Sequence, residues 1–148
     1  SLDALVDSWT TDGTKHTING ILVSGATYRL HEKKAKPGYC LSADIFFTVN
    51  GDTETEKITM IDKPTHVTVS KKAITGSDEL PGCTLEVRDA VTNALIETWV
   101  SGTTPHEMIA VLEAGKSYKL IETHPKDGYA YAADITFTVS EDGTVSIG

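Results

Sequence analysis

The sequence predicts an all-β fold built from two copies of one sandwich module, with a repeat of about 90 residues. Three observations carry that prediction. Residues 5–49 align on 95–139 without a gap, and 18 of the 45 positions are identical, so the two stretches must share one fold. The chain holds 21 Thr among many Val and Ile, and β-branched residues favour strands over helices. Short alternating apolar runs are punctuated by Gly and Asp, and no long 3.6-residue period runs through them.

Each element follows from those rules. Residues 4–10 alternate as a strand, and 11–14 contain the turn-forming Asp12-Gly13. A strand is expected at 16–22, then a turn around Gly25, then a strand at 27–32. Pro37-Gly38 marks a loop, 42–49 a strand and Asn50-Gly51 its end, with a further strand at 57–61. Pro64 makes 64–66 the linker, which leaves 1–63 as a first repeat and 67–148 as a second. The second repeat reads as strands at 67–72, 84–89, 95–101, 106–112, 117–123, 133–140 and 144–147. Many short strands with Gly and Asp turns describe a sandwich, not an α/β fold.

Composition narrows the function. A formal charge of −8 leaves no basic stripe to neutralise phosphates, so nucleic acid is not an expected partner. Anionic membrane is excluded on the same ground, and no apolar run is long enough for insertion into a bilayer. Two cysteines, Cys40 and Cys83, stand at non-equivalent places in the repeat and read as small buried residues. The histidines, His16, His31, His66, His106 and His124, show no metal-ligand spacing, and Asp44 with Asp134 is a weak calcium signal. No metal and no cofactor is expected. His16 with His106, and Trp9 with Trp99, recur at the repeat offset and read as structural.

Strand phase singles out four ionisable residues. Val67, Val69 and Lys71 share a face by alternation, and so do Tyr118, Leu120 and Glu122. Ile58, Met60 and Asp62 share another, and Glu32 stands where Glu122 does in the other copy. Three strands of one repeat unit thus each end an apolar stripe in a Lys, a Glu or an Asp, which predicts a buried Lys–Glu–Asp cluster. In a dry interior the neutral forms of amine and acid are favoured. A neutral amine beside a carboxylic acid is a nucleophile beside an electrophile, with a second carboxyl to move protons. Contact and exclusion of water favour their condensation to an amide.

Those residues carry a resemblance. The Ser70-Lys71 pair ahead of Leu80-Pro81-Gly82, the Tyr-x-Leu-x-Glu at 118–122, the Asp127-Gly128-Tyr129 loop and Ile-x-Phe-Thr-Val at 135–139 together resemble a collagen-adhesin B-type domain. These are repeat modules of Gram-positive surface adhesins and pilins, and the family supplies the domain used in catcher/tag peptide ligation. The resemblance covers 66–148, and 5–63 through the internal repeat. It implies a transthyretin-like, inverse-immunoglobulin sandwich that forms an isopeptide bond. On this chain it implies Lys71 as nucleophile, Glu122 and Glu32 as proton shuttles, and Asp62, within ITMIDKP, as acceptor on a strand like the tag.

The frame departs from that pattern. The first copy has no counterpart of 67–90, and the second none of 59–62, so Lys71 and Asp62 belong to different copies. We expect no native-register bond within one chain, and donation of strand 57–62 from a neighbouring molecule. The expected function is a stalk or spacer module of a bacterial surface adhesin or pilus, with its cell-wall anchor outside this segment. Neighbouring repeats of the same protein are its expected partners. It would not be an enzyme, since the crosslink forms once without turnover. The alternative is an adhesin domain that binds host matrix or glycan, which calls for a loop insertion or exposed aromatic cluster that the sequence does not show. A third, transthyretin-like hydrolase reading needs converging histidines.

Overall fold

A computed structural model describes residues 3–51 and 55–148, and within these the only regular elements are nine β-strands. They are β1 (Thr27–Leu30), β2 (Ile45–Thr48), β3 (His66–Val69), β4 (Thr84–Asp89), β5 (Leu95–Val100), β6 (His106–Ile109), β7 (Ser117–His124), β8 (Ile135–Val139) and β9 (Val145–Ile147). The chain divides into two compact units, 1–31 with 43–60, and 32–42 with 61–148.

The second unit is built as two facing sheets. One holds β3 and β6, and the other runs β5-β4-β7-β8-β9, all antiparallel. The alternation read in the sequence sets their inner faces. Val67 and Met108 from the small sheet meet Val87, Tyr118, Phe137 and Val139 from the large one, with Leu112 closing the cluster. Burying each such side chain stabilises the fold by about 1.5–3 kcal/mol, so this cluster is the main cohesive term. Tyr118 and Phe137 lie opposite each other on β7 and β8, with ring centroids 5.8 Å apart.

The first unit repeats part of this pattern. β1 pairs with β2, Tyr28 lies opposite Phe47, and their centroids are again 5.8 Å apart. The Tyr28 hydroxyl accepts from the Val23 N–H at 2.7 Å, as the Tyr118 hydroxyl does from Glu113 at 2.8 Å. Three expected strands are absent, at 4–10, 16–22 and 57–61. Pairing gives the physical reason for the first two. Their counterparts are β5, which pairs only with β4, and β6, which pairs only with β3. Among the described residues no strand equivalent to β3 or β4 pairs with these segments, so side-chain alternation there has no backbone partner to turn it into a ladder.

The compact units do not follow the boundary between copies. The 36–41 loop of the first copy lies in the second unit, where Leu41 N–H donates to the Glu141 carbonyl at 2.8 Å and Cys40 is buried. The expected linker is built in as well. Thr65 is buried, its N–H donates to the Gly38 carbonyl, and its hydroxyl donates to the Leu112 carbonyl at 2.6 Å. Gly38 fits because a Cβ there would stand 2.6 Å from the Ala110 carbonyl oxygen. Cys40 and Cys83 are both free and buried.

Candidate functional site

Lys71 continues the phase of β3 two residues past its end. Its backbone is fixed by the segment that returns through 79–80: Leu80 N–H donates to the Lys71 carbonyl at 2.7 Å, and Lys71 N–H to Glu79 Oε1 at 3.4 Å. Lys72 bridges Glu79 in the same turn. The side chain therefore follows Val67 and Val69 inward, and only 18% of it stays exposed.

Glu122 reaches the same place from β7. It stands opposite Leu85 on β4, next to a register shift between Thr84 and Leu85. Alternation carries it inward with buried Tyr118 and half-buried Leu120. Its side chain is 2% exposed, with Oε2 3.5 Å from Lys71 Nζ. The same oxygen accepts the Ala132 N–H at 2.9 Å. A buried carboxylate needs such partners to offset the loss of hydration.

Lys71 also lines a cleft of about 320 Å³ with Val69, Ser70, Leu85, Leu120, Ala132 and Ile135 among its walls. Glu122 sits behind this surface, joined to it through Lys71 and Ala132. The arrangement offers an amine to whatever enters the cleft, with a carboxylate at its back to take a proton.

The structure joins the other two predicted residues through a third. Glu32 Oε1 accepts the Ser42 N–H at 2.8 Å, the counterpart of the Glu122–Ala132 bond. The Ser42 hydroxyl donates to Asp62 Oδ1 at 2.5 Å and lies 3.0 Å from the Ile61 carbonyl. Asp62 was expected to point inward and does not: it is exposed, in a segment without strand pairing, so strand phase has no meaning there. The ion-pair partner of Lys71 among the described residues is Glu122, and Asp62 is not beside it. The three-residue cluster is thus present as two separate pairs.

The family described as "SpaA: Prealbumin-like fold domain" matches residues 65–148, more than half of the chain. The chain belongs to that family. Three solved structures of the shaft pilin SpaA from Lactobacillus rhamnosus GG are also similar to it. They are a double mutant (15% identity, TM-score 0.43), the unmutated pilin (16%, 0.41) and a single mutant (15%, 0.41). Each match spans 78% of this chain, and 59%, 59% and 65% of the respective pilin. The chain thus corresponds to less than two thirds of those pilins' length. No curated protein matches.

Two features of this SpaA-type domain escaped the sequence reading. The backbone donors to the glutamates, Ser42 and Ala132, lie ten positions beyond them in both copies. Backbone N–H groups carry no side-chain signature, so only the repeat alignment could have pointed to them. The second is a stacked pair in each copy. Trp9 lies on His16, and Trp99 on His106, with centroids 4.0 Å apart in both. Each imidazole Nε2 meets a carboxylate, Asp7 at 2.8 Å and Glu97 at 3.0 Å. The recurrence of Trp and His at the repeat offset was the available signal. The pairs tie strand-like segments together, which fits the structural role expected of these residues.

Proposed function

We propose that the chain is a structural stalk module of a bacterial cell-surface adhesin or pilus, and that Lys71 forms an isopeptide bond with an aspartate on a strand placed in its cleft. The observation that carries this reading is the Lys71 Nζ to Glu122 Oε2 distance of 3.5 Å beside that cleft. Lys71 passes a proton to Glu122, and the free amine attacks the carboxyl carbon of the incoming aspartic acid. The C–OH bond then breaks, and the hydroxyl leaves as water with a proton returned by Glu122. The amine's second proton goes to Glu122, which ends as the neutral acid, so ammonium, carboxylate and aspartic acid become an amide, a carboxylic acid and one water. Packing of the incoming strand excludes solvent and holds the groups in contact.

The acceptor in this reading is Asp62 of a neighbouring molecule, carried on residues 57–62. That segment has no strand partner among the described residues, and Asp62 is exposed. Glu32 would be the shuttle for Asp62 when a lysine-bearing strand meets the first copy. The bond forms once, so this is crosslinking and not turnover. A covalent crosslink along a repeated array suits a surface spacer under load.

Intact mass spectrometry under denaturing conditions tests the reading. The expected product at high protein concentration is two chains less one water, absent in Lys71→Ala, Glu122→Ala and Asp62→Ala. Monomer alone at every concentration would overturn the crosslink. A monomer lighter by one water would overturn its intermolecular route.

A further inference from the structure

The Gly-Tyr loop occurs twice in the same backbone form but is covered once. In the first copy Tyr39 N–H donates to the Lys36 carbonyl at 3.0 Å, and in the second Tyr129 N–H donates to Lys126 at the same distance. The central glycines match too, with φ of 89° at Gly38 and 86° at Gly128. Around them the surroundings differ. A Cβ on Gly38 would strike the Ala110 carbonyl, while one on Gly128 would meet nothing within 4 Å. Cys40 is 3% exposed and Leu41 half-buried, but their counterparts Ala130 and Tyr131 are both exposed, Tyr131 by 64%. Tyr129 beside it is 47% exposed. Leu41 N–H is bonded to the Glu141 carbonyl, whereas Tyr131 N–H has no partner among the described residues.

The first copy therefore displays how this loop is covered, and by what. Its cover consists of the Ala110–Leu112 turn, the Glu141 carbonyl and the strap through Thr65. Counterparts of the first two exist in this chain, at Gly20–Leu22 and Gly51. The backbone around them is formed the same way: Gly25 N–H donates to the Val49 carbonyl as Gly115 N–H does to Val139. That surface is apolar and open, with Ile21 50% and Val23 64% exposed.

We propose that the 126–131 loop is a docking surface for a second copy of this chain, received on the 20–22 turn and Gly51 of that copy. Tyr129 and Tyr131 cover Ile21 and Leu22, Gly128 lies against the Gly20 carbonyl, and Tyr131 N–H donates to the Gly51 carbonyl. The two surfaces differ, so the contact is heterologous: a pair keeps one of each free and can add another molecule. Aromatic side chains at the centre of such a patch carry most of its binding energy. This contact is independent of Lys71 chemistry.

Sedimentation velocity from micromolar to millimolar concentration tests it, in a Lys71→Ala background so that no crosslink contributes. The expected result is reversible association beyond the dimer. Tyr131→Lys and Ile21→Lys, both on exposed side chains, each weaken it by at least about ten-fold, with circular dichroism unchanged. An equal mixture of the two variants retains one intact contact and stops at a heterodimer. A chain that stays monomeric throughout, a variant that associates like the parent, or a mixture that does not pair overturns the proposal.

Discussion

Glu122 keeps its place in the core because one oxygen holds both the Lys71 amine at 3.5 Å and the Ala132 N–H at 2.9 Å. Removing either side of such a pair has unequal consequences. Glu122→Ala strands a largely buried amine and a backbone donor, and should cost about 2–4 kcal/mol in urea unfolding. Lys71→Met leaves the more deeply buried Glu122 carboxylate without its counter-charge and should cost more, about 3–5 kcal/mol. Glu122→Gln keeps an acceptor for Ala132, so it should hold most of the stability yet lose the proposed crosslink, since an amide does not shuttle the proton. Equal losses for Ala and Gln would show that the Ala132 bond contributes nothing. The sequence made this pair legible through strand phase alone: Val67-x-Val69-x-Lys71 and Tyr118-x-Leu120-x-Glu122 each place an ionisable group after two inward apolar ones. It misplaced Asp62, because alternation fixes a direction only where a ladder holds the backbone.

At the scale of elements, the β8–β9 hairpin is tied by Asp142. Its carboxylate accepts from the Ser140 hydroxyl at 2.6 Å and the Thr144 N–H at 2.9 Å. The Ser140 hydroxyl first, and the Thr144 N–H next, hold its pKa down to about 2 from an ordinary 3.8. A depressed folded-state pKa means the stabilisation is present above the ordinary value and is lost as pH falls towards 2. Asp142→Asn should therefore lower the urea midpoint at neutral pH, and its difference from the parent should vanish on acidification to about pH 2. A difference that persists there would mean the carboxylate's charge does not matter. The two strands of this hairpin were expected from the alternating runs at 133–140 and 144–147. The strands at 4–10 and 16–22 were expected on equally good alternation and did not form. Their side-chain pattern states which face would be buried, but a strand exists only through its neighbour's N–H and C=O groups.

Across the whole molecule, cohesion is uneven. Every member of the main core cluster belongs to the second unit, and no side chain of the first is fully buried among the described residues. Local opening free energies follow buried contacts and paired backbone. Amides of β4, β7 and β8 should exchange slowest, and those of 4–22 within the fast phase, by native-state hydrogen exchange. Uniform protection across both units would contradict this. The sequence by itself determined the repeat, the all-β class, the inward phase of β3, β7 and β8, and the Lys71–Glu122 partnership. All of these are written in side-chain order at periods of two and ninety. Tertiary structure alone decided which alternating runs become strands, that 32–42 is built into the second unit, that Glu32 reaches Asp62 through Ser42, and that one Gly-Tyr loop is covered while its twin is open. Each of these depends on backbone groups finding partners far along the chain, and side-chain alternation does not encode who that partner is.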